Sequence, residues 1–209
     1  LRSPDLGTEA WTYQRFTSGF DNIVDDARGL GKLEKLDELF DDIGRGMHRA
    51  VAQHHQAELD LFTEAEGGVP CFSGSSIHNA RVDRAALWLP ASEVPEGLEL
   101  REGDCVLRAF IARAPGRSST RAALIRSADL PATFDHTLIR LRPRAGVPVS
   151  VLELVVSFLN SSHFAQMLAA KGADLALSTS KLKQVEVPFP SSNVLEALER
   201  LSAAEAKYE

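Results

Sequence analysis

Apolar positions along the chain recur first at helical spacing, then in short runs, then at helical spacing again. From Gly31 the series Leu33, Leu36, Leu39, Phe40 and Ile43 predicts an amphipathic helix that stops at Gly44-Arg45-Gly46. A second helical pattern runs from about Met47 to Glu66, with Val51, Leu59 and Phe62 inward, and ends at Gly67-Gly68. Ahead of both, residues 1–30 are mixed and polar. Their Trp11, Tyr13, Phe16 and Phe20 are spaced to pack one side of an irregular or partly helical lead-in segment.

Residues 69–144 change character. Val69 to Phe72, Ala85 to Leu89, Cys105 to Ala112, Ala122 to Ile125 and His136 to Leu141 are short apolar runs. Turn residues such as Ser73-Gly74-Ser75-Ser76, Pro90 and Glu102-Gly103-Asp104 separate them, which reads as β-structure. The run from His136 alternates, placing Thr137, Ile139 and Leu141 on one face and Leu138, Arg140 and Arg142 on the other. One face is therefore apolar and the other partly cationic.

Helices return after Pro143. Pro148 opens one that carries Val151, Leu152, Leu154, Val155, Phe158 and Leu159, and Ser161 or Ser162 caps another holding Phe164, Met167 and Leu168, stopped by Gly172. A turn of helix at Ser180 to Gln184 leads into a strand, Val185 to Phe189. Pro190 and Ser191-Ser192 then open a last amphipathic helix with Val194, Leu195, Leu198 and Leu201 on one stripe. The expected fold class is α+β (mixed α/β), with a twisted β-sheet core in the middle of the chain, flanking helices and a C-terminal spacer-like helix. The expected division is a lead-in over 1–30, one domain over 31–190, and the start of a spacer helix over 191–209.

Composition supports a packed domain: 209 residues with 44% hydrophobic content can bury a sizeable core. No apolar run approaches eighteen residues, so neither a signal peptide nor a membrane span is visible and a cytoplasmic protein is expected. Cys71 and Cys105 sit in apolar, strand-like surroundings without a second Cys or His at ligand spacing and read as buried free thiols. Net charge is −6, which argues against a polyanionic partner until its distribution is seen. Residues 1–66 hold seven cations against fourteen acids, whereas residues 101–144 hold nine against four, and all nine are arginine. Arginine makes forked contacts with phosphates and guanine edges. The same arginines are equally suited to pairing with the acidic N-terminal segment.

Most catalytic chemistry is excluded. Gly31-Lys32-Leu33 lacks the spacing and the Ser or Thr of a phosphate-binding loop, and no G-x-S-x-G elbow exists. His48, His54 and His55 have no H-E-x-x-H pattern and no third ligand, so a solvated helix face is favoured over zinc. His136 reads as a satisfied structural histidine, and Glu205-Ala206-Lys207 as an exposed spacer face rather than a nuclease site. No Pro-Pro dipeptide and no glycine-rich strand-turn signature is present, so the motifs of adenine methylation are missing. No catalytic residue, metal or cofactor is expected.

Four pieces of sequence carry a family resemblance. They are Leu36-Asp37-Glu38-Leu39-Phe40-Asp41-Asp42-Ile43-Gly44-Arg45-Gly46, Val69-Pro70-Cys71-Phe72-Ser73-Gly74-Ser75-Ser76-Ile77, Leu100-Arg101-Glu102-Gly103-Asp104-Cys105-Val106-Leu107, and Leu177-Ser178-Thr179-Ser180-Lys181-Leu182-Lys183-Gln184-Val185-Glu186-Val187-Pro188-Phe189-Pro190. In this order the chain resembles the target recognition domain of a type I restriction-modification specificity subunit, or the similar C-terminal domain of an adenine-specific DNA methyltransferase. The helical stretch around His54 is longer than the family's usual gap, residues 1–30 have no clear counterpart, and the "V-P-x-P" ending occurs once where a complete subunit carries two such domains. The resemblance implies half-site reading of double-stranded DNA by a non-catalytic specificity module. Its implied partners are a DNA methyltransferase (modification) subunit and restriction subunits, reached through the helix carrying Val194, Leu195, Leu198 and Leu201.

Three loops are the candidate contacts. Arg113, Arg117, Ser118, Ser119, Thr120 and Arg121 combine cations and hydroxyls around Pro115-Gly116 and form the main groove-entering candidate, with a plain solvated hairpin as the alternative. Ser73, Ser75 and Ser76 form a hydroxyl-rich turn that either donates to DNA or caps itself. Ser178, Thr179, Ser180, Lys181 and Lys183 either grip a phosphate or cap a helix whose lysines face water. Arg140 and Arg142 would extend the cationic track. The rival from another class is a non-catalytic protein-interaction or regulatory domain that binds no nucleic acid.

Overall fold

The computed structural model describes residues 31–48, 67–110, 112–114, 117–119, 121–162, 164–165 and 177–205. The lead-in with Trp11, Tyr13, Phe16 and Phe20, most of the 47–66 pattern, and Met167, Leu168 and Gly172 lie outside them.

Four strands form the central antiparallel sheet, in the order β10 (Ala122–Leu124), β7 (Cys105–Arg108), β12 (Leu138–Pro143), β2 (Phe40–Arg45). Both faces of this sheet are covered, which is why β7 reads as an unbroken apolar run. On one face Cys105, Leu107, Ile139 and Leu141 pack with Val151, Leu152, Val155 and Phe158 of helix α2, which spans Val149–Leu159. On the other, Val106, Ala123 and Leu138 pack with Phe72, Ile77, Val82 and Phe134. The alternation in β12 thus sorts residues between two cores rather than between a core and water.

The second core is closed by a three-stranded sheet of order β11 (Thr133–Phe134), β3 (Val69–Phe72), β6 (Leu87–Leu89), with β11 parallel to β3. A ribbon of β4 (Ile77–His78) and β5 (Arg81–Val82) lies against β10. The α+β expectation holds, and the strands at 69–72, 87–89 and 122–124 fall where the apolar runs placed them.

The helix expected from Gly31 to Ile43 is not formed. Its residues are split among β1 (Gly31–Lys35), a single turn α1 (Leu36–Leu39) and β2. Four of the five expected apolar positions do face inward, since Leu36, Leu39, Phe40 and Ile43 are all at most 6% exposed, whereas Leu33 is 54% exposed. The period was wrong because both flanks find distant strand partners. β1 pairs with β13 (Glu186–Pro190) and β2 with β12, and no window of local sequence contains those partners.

Past α2, the Ser161 hydroxyl accepts the Phe164 N–H at 3.1 Å, as a cap should. Helix α3 (Thr179–Lys183) leads into β13, and α4 (Ser192–Glu205) follows and packs on α2 and β13.

Candidate nucleic-acid interface

The expected strand from Cys105 to Ala112 breaks at Ala109. There the Ala109 N–H donates to the Thr137 carbonyl at 2.7 Å, while the Ala109 carbonyl accepts from the Leu177 N–H at 2.7 Å. The chain leaves the sheet between two other segments, and what it enters is a hairpin of β8 (Ala112–Ala114) and β9 (Arg117–Ser119). The register sets Arg113 opposite Ser118, Ala114 opposite Arg117 and Ala112 opposite Ser119. Pro115, Gly116 and Thr120 lie outside the described residues. The hairpin returns at Arg121, whose carbonyl accepts from Arg108 N–H at 2.8 Å and whose exposed guanidinium donates to the Ile77 carbonyl at 3.3 Å.

The Ser73 turn sits beside that root. Its Gly74 N–H donates to the Thr137 hydroxyl at 2.7 Å, and a Cβ on Gly74 would come within 3.1 Å of Arg108 Cγ. Two of its three candidate hydroxyls are consumed internally. Ser73 Oγ accepts from Ser75 N–H, Ser76 Oγ accepts from Ser73 N–H, and the two residues are 8% and 2% exposed. Ser75 is exposed, with its hydroxyl 2.7 Å from that of Ser73.

On the other flank Leu177 enters α3. Ser178 is the cap, its hydroxyl accepting the Lys181 N–H at 3.2 Å and lying 3.2 Å from the Ser180 hydroxyl. Thr179 is half-buried, Leu182 is buried in the first core, and Lys181 and Lys183 are exposed. Arg45, at the end of β2, fastens this segment by donating to the Leu177 carbonyl at 2.5 Å, and its guanidinium stands 5.9 Å from the centre of the Phe110 ring. Phe110 is 38% exposed at the hairpin root.

The three candidate loops are therefore brought together at one end of the central sheet, bonded through Ala109 and Thr137. Asp135 holds Thr137 in place, accepting from both its N–H, at 2.8 Å, and its hydroxyl. Sequence reasoning missed Arg45, Arg108 and Phe110. Arg108 belongs to the arginine-rich segment and was readable as the last residue before the loop. Arg45 was hidden inside a presumed helix stop.

Arg140 and Arg142 do not form an open cationic face, which corrects the expectation for β12. Arg140 is 5% exposed. Its guanidinium pairs with Asp42, donates to the Gly97 carbonyl at 2.8 Å and stands 5.4 Å from the Phe134 ring centre. Arg142 grips both carboxylate oxygens of buried Asp104, at 3.0 and 2.9 Å, and that hydrogen-bonded carboxylate pushes the arginine above its ordinary range. The strand itself starts at Leu138, and His136 lies in the preceding turn with a buried Nδ1 that has no hydrogen-bond partner among the described residues, so that atom departs from the satisfied histidine expected.

On α4, Val194 and Leu195 are half-buried and Leu195 packs on the first core of its own domain. The side chains of Leu198 and Leu201 lie outside the described ones. Cys71 and Cys105 are free and buried, and burial pushes the Cys71 thiol up to about 12 and that of Cys105 further. Among the described residues no group of three His, Cys, Asp or Glu could hold a metal, and no helix is long and apolar enough to cross a membrane.

Neither a protein-family model nor a curated protein matches the sequence. Among solved structures, the HsdS subunit from Thermoanaerobacter tengcongensis is 22% identical, covering 84% of this chain and 36% of that one at a TM-score of 0.49. A chain solved in a study of complex assembly and conformational transition of the type I R-M system is 16% identical with a TM-score of 0.53, covering 96% of this chain and 47% of that one. This chain spans about half the length of that protein and shares its fold, the fold of a chain from a type I restriction-modification system.

Proposed function

We propose that this chain is a target recognition domain that reads a half-site of double-stranded DNA. It serves as the non-catalytic specificity module of a cytoplasmic restriction-modification or DNA methyltransferase system. The observation that supports this best is the convergence of the β8–β9 hairpin, the Ser73 turn and the α3 entry at one end of a sheet. Its fold is that of a type I restriction-modification chain. Convergent loops on a rigid sheet supply what duplex recognition needs: several contacts fixed in register, some to phosphate and some to base edges.

In this reading Arg113, Arg117, Ser118, Ser119, Thr120 and Arg121 enter a groove, with Arg108 and Lys181 and Lys183 on the flanks. Ser75, the exposed one of the three serines, donates from its turn while accepting from the Ser73 hydroxyl, and Ser178, Thr179 and Ser180 shape the approach of α3. Arg140 and Arg142 are left to hold the sheet. Catalysis resides in a partner methyltransferase subunit, with restriction subunits in the larger assembly, or in another part of the same chain, and α4 leads toward that partner.

A gel-shift series on a duplex selected from a random pool tests the reading. Arg117→Ala and Arg121→Ala weaken selective binding by about 1–3 kcal/mol for each base edge that the arginine reads. Binding unchanged in both variants refutes the loop assignment. The net charge of −6 favours one rival, a protein-interaction domain. Capture of a protein partner with no DNA binding at any salt concentration would establish that rival instead.

A further inference from the structure

The β4–β5 ribbon adds an element to this surface that arginine counting does not find. Its two-residue turn, Asn79-Ala80, holds both residues at positive φ, 49° and 62°. This is the pattern of tight hairpin turns whose twist matches the strands. Asparagine tolerates that conformation. Alanine adopts it against its own Cβ sterics, and here Ala80 packs against the first core. Two further bonds fix the ribbon: Arg121 donates to the Ile77 carbonyl, and Asp83 N–H donates to the Ser76 carbonyl at 3.1 Å. The tip is thus rigid and tied to the root of the β8–β9 hairpin.

Its exposed chemistry differs from that hairpin's. Asn79 is exposed, and its carboxamide has no partner among the described residues. The His78 Nε2 lies 2.8 Å from the Ser75 carbonyl, so a neutral ring carries its proton there and keeps Nδ1 as an acceptor. His78, Asp83, Arg84, Ser75 and Ala85 line an open cavity of about 520 Å3 beside the tip. A paired donor and acceptor matches the N6 and N7 edge of adenine, whereas guanidinium groups suit phosphate as readily as guanine.

We propose that the β4–β5 tip is a second base-reading element, with Asn79 set to recognise an adenine edge beside the groove-entering hairpin. This rests on the DNA-recognition reading above. The test is selection from a random duplex pool at one salt concentration, using the full chain as wild type, Asn79→Gly and Asn79→Asp. Glycine keeps the positive φ and removes the carboxamide, and equal melting temperatures establish that the variants fold.

The wild type is expected to enrich a defined half-site. Asn79→Gly should lose discrimination at one adenine position by roughly tenfold or more, leaving other positions intact. Asn79→Asp should shift that position toward cytosine, whose N4 amine donates to a carboxylate. A wild-type half-site unchanged in both variants overturns the base-reading role and leaves DNA recognition standing. So does a uniform loss at every position, the behaviour of a phosphate contact. If the wild type enriches nothing, the recognition reading falls and takes this inference with it.

Discussion

Gly46→Ala should cost this domain a large part of its stability. Gly46 follows β2 where the chain crosses the Phe134–Asp135 backbone, and an added Cβ would lie 2.4 Å from the Phe134 carbonyl oxygen and 2.3 Å from that of Asp135. Both obstacles are backbone, so no rotamer change relieves them, and the two segments must separate by about 1 Å to restore ordinary contact. Separation breaks the bonds from Met47 N–H to the Phe134 carbonyl, 3.0 Å, and from Gly46 N–H to the Leu138 carbonyl, 3.3 Å. Each is worth about 1 kcal/mol. Met47, 1% exposed, is loosened as well, and full burial of such a side chain is worth about 1.5–3 kcal/mol. The total is about 3–5 kcal/mol, against a usual domain stability of about 5–15 kcal/mol. Urea unfolding followed by fluorescence should show the midpoint falling by about 2 M with the slope unchanged. Gly44→Ala is the comparison: its new Cβ meets no backbone, only the Asp42 carboxylate at 3.3 Å, and that side chain need shift by just a few tenths of an ångström while keeping its pair with Arg140, so the cost should be clearly smaller than for Gly46→Ala. A midpoint for Gly46→Ala within about 0.5 M of wild type would refute the steric argument.

Two further outcomes are checked on the same protein. Arg142→Ala leaves the Asp104 carboxylate, 1% exposed, without its counter-charge and should destabilise by about 3–5 kcal/mol in urea, whereas replacing both partners with apolar residues should cost less than the single change. Native Cys71 and Cys105 should resist iodoacetamide at pH 8 and react in denaturant. Because burial raises both thiols, their contribution to stability is intact below about pH 9 and falls as pH rises toward 12, which alkaline melting curves would register.

The parts of the fold legible in the sequence were those set by local pattern and turn chemistry. Ser178 caps α3, Pro148 precedes α2, and the apolar runs at 69–72 and 122–124 are strands because bounding turn residues leave them nothing else to be. What failed depended on partners far along the chain. Leu33 to Ile43 has helical spacing, yet pairing with β12 and β13, about 100 and 150 residues away, outweighs local preference. The candidate loops were found singly by composition, but their meeting at Ala109 and Thr137 rests on backbone bonds that no residue type announces. The same limit hid Gly46, which reads as a helix stop and is in fact a close approach of two backbones.

The pairing reading of the arginine-rich segment holds for part of it, and the proposed phosphate contacts of the remainder yield a measurable quantity. Arg140 pairs with Asp42 and Arg144 with Asp41, both acids of the N-terminal third, while Arg142 pairs with Asp104 and Arg126 with Glu153. These four arginines neutralise acids within the fold. The cations carried at the hairpin end are Arg108, Arg113, Arg117 and Arg121, with Lys181 and Lys183 beside them. If all six meet phosphates, the logarithm of DNA affinity should fall against the logarithm of salt concentration with a slope of about −5. Engagement of every arginine of the segment together with both lysines would make it about −10. A slope near the steeper value would mean that the internal pairs open on binding, contrary to the burial of Asp104 and Arg140. A slope near zero would remove phosphate binding altogether and with it the DNA-recognition reading. An acidic protein that still shows the intermediate slope would locate its function in where a few arginines are placed, and not in how many it carries.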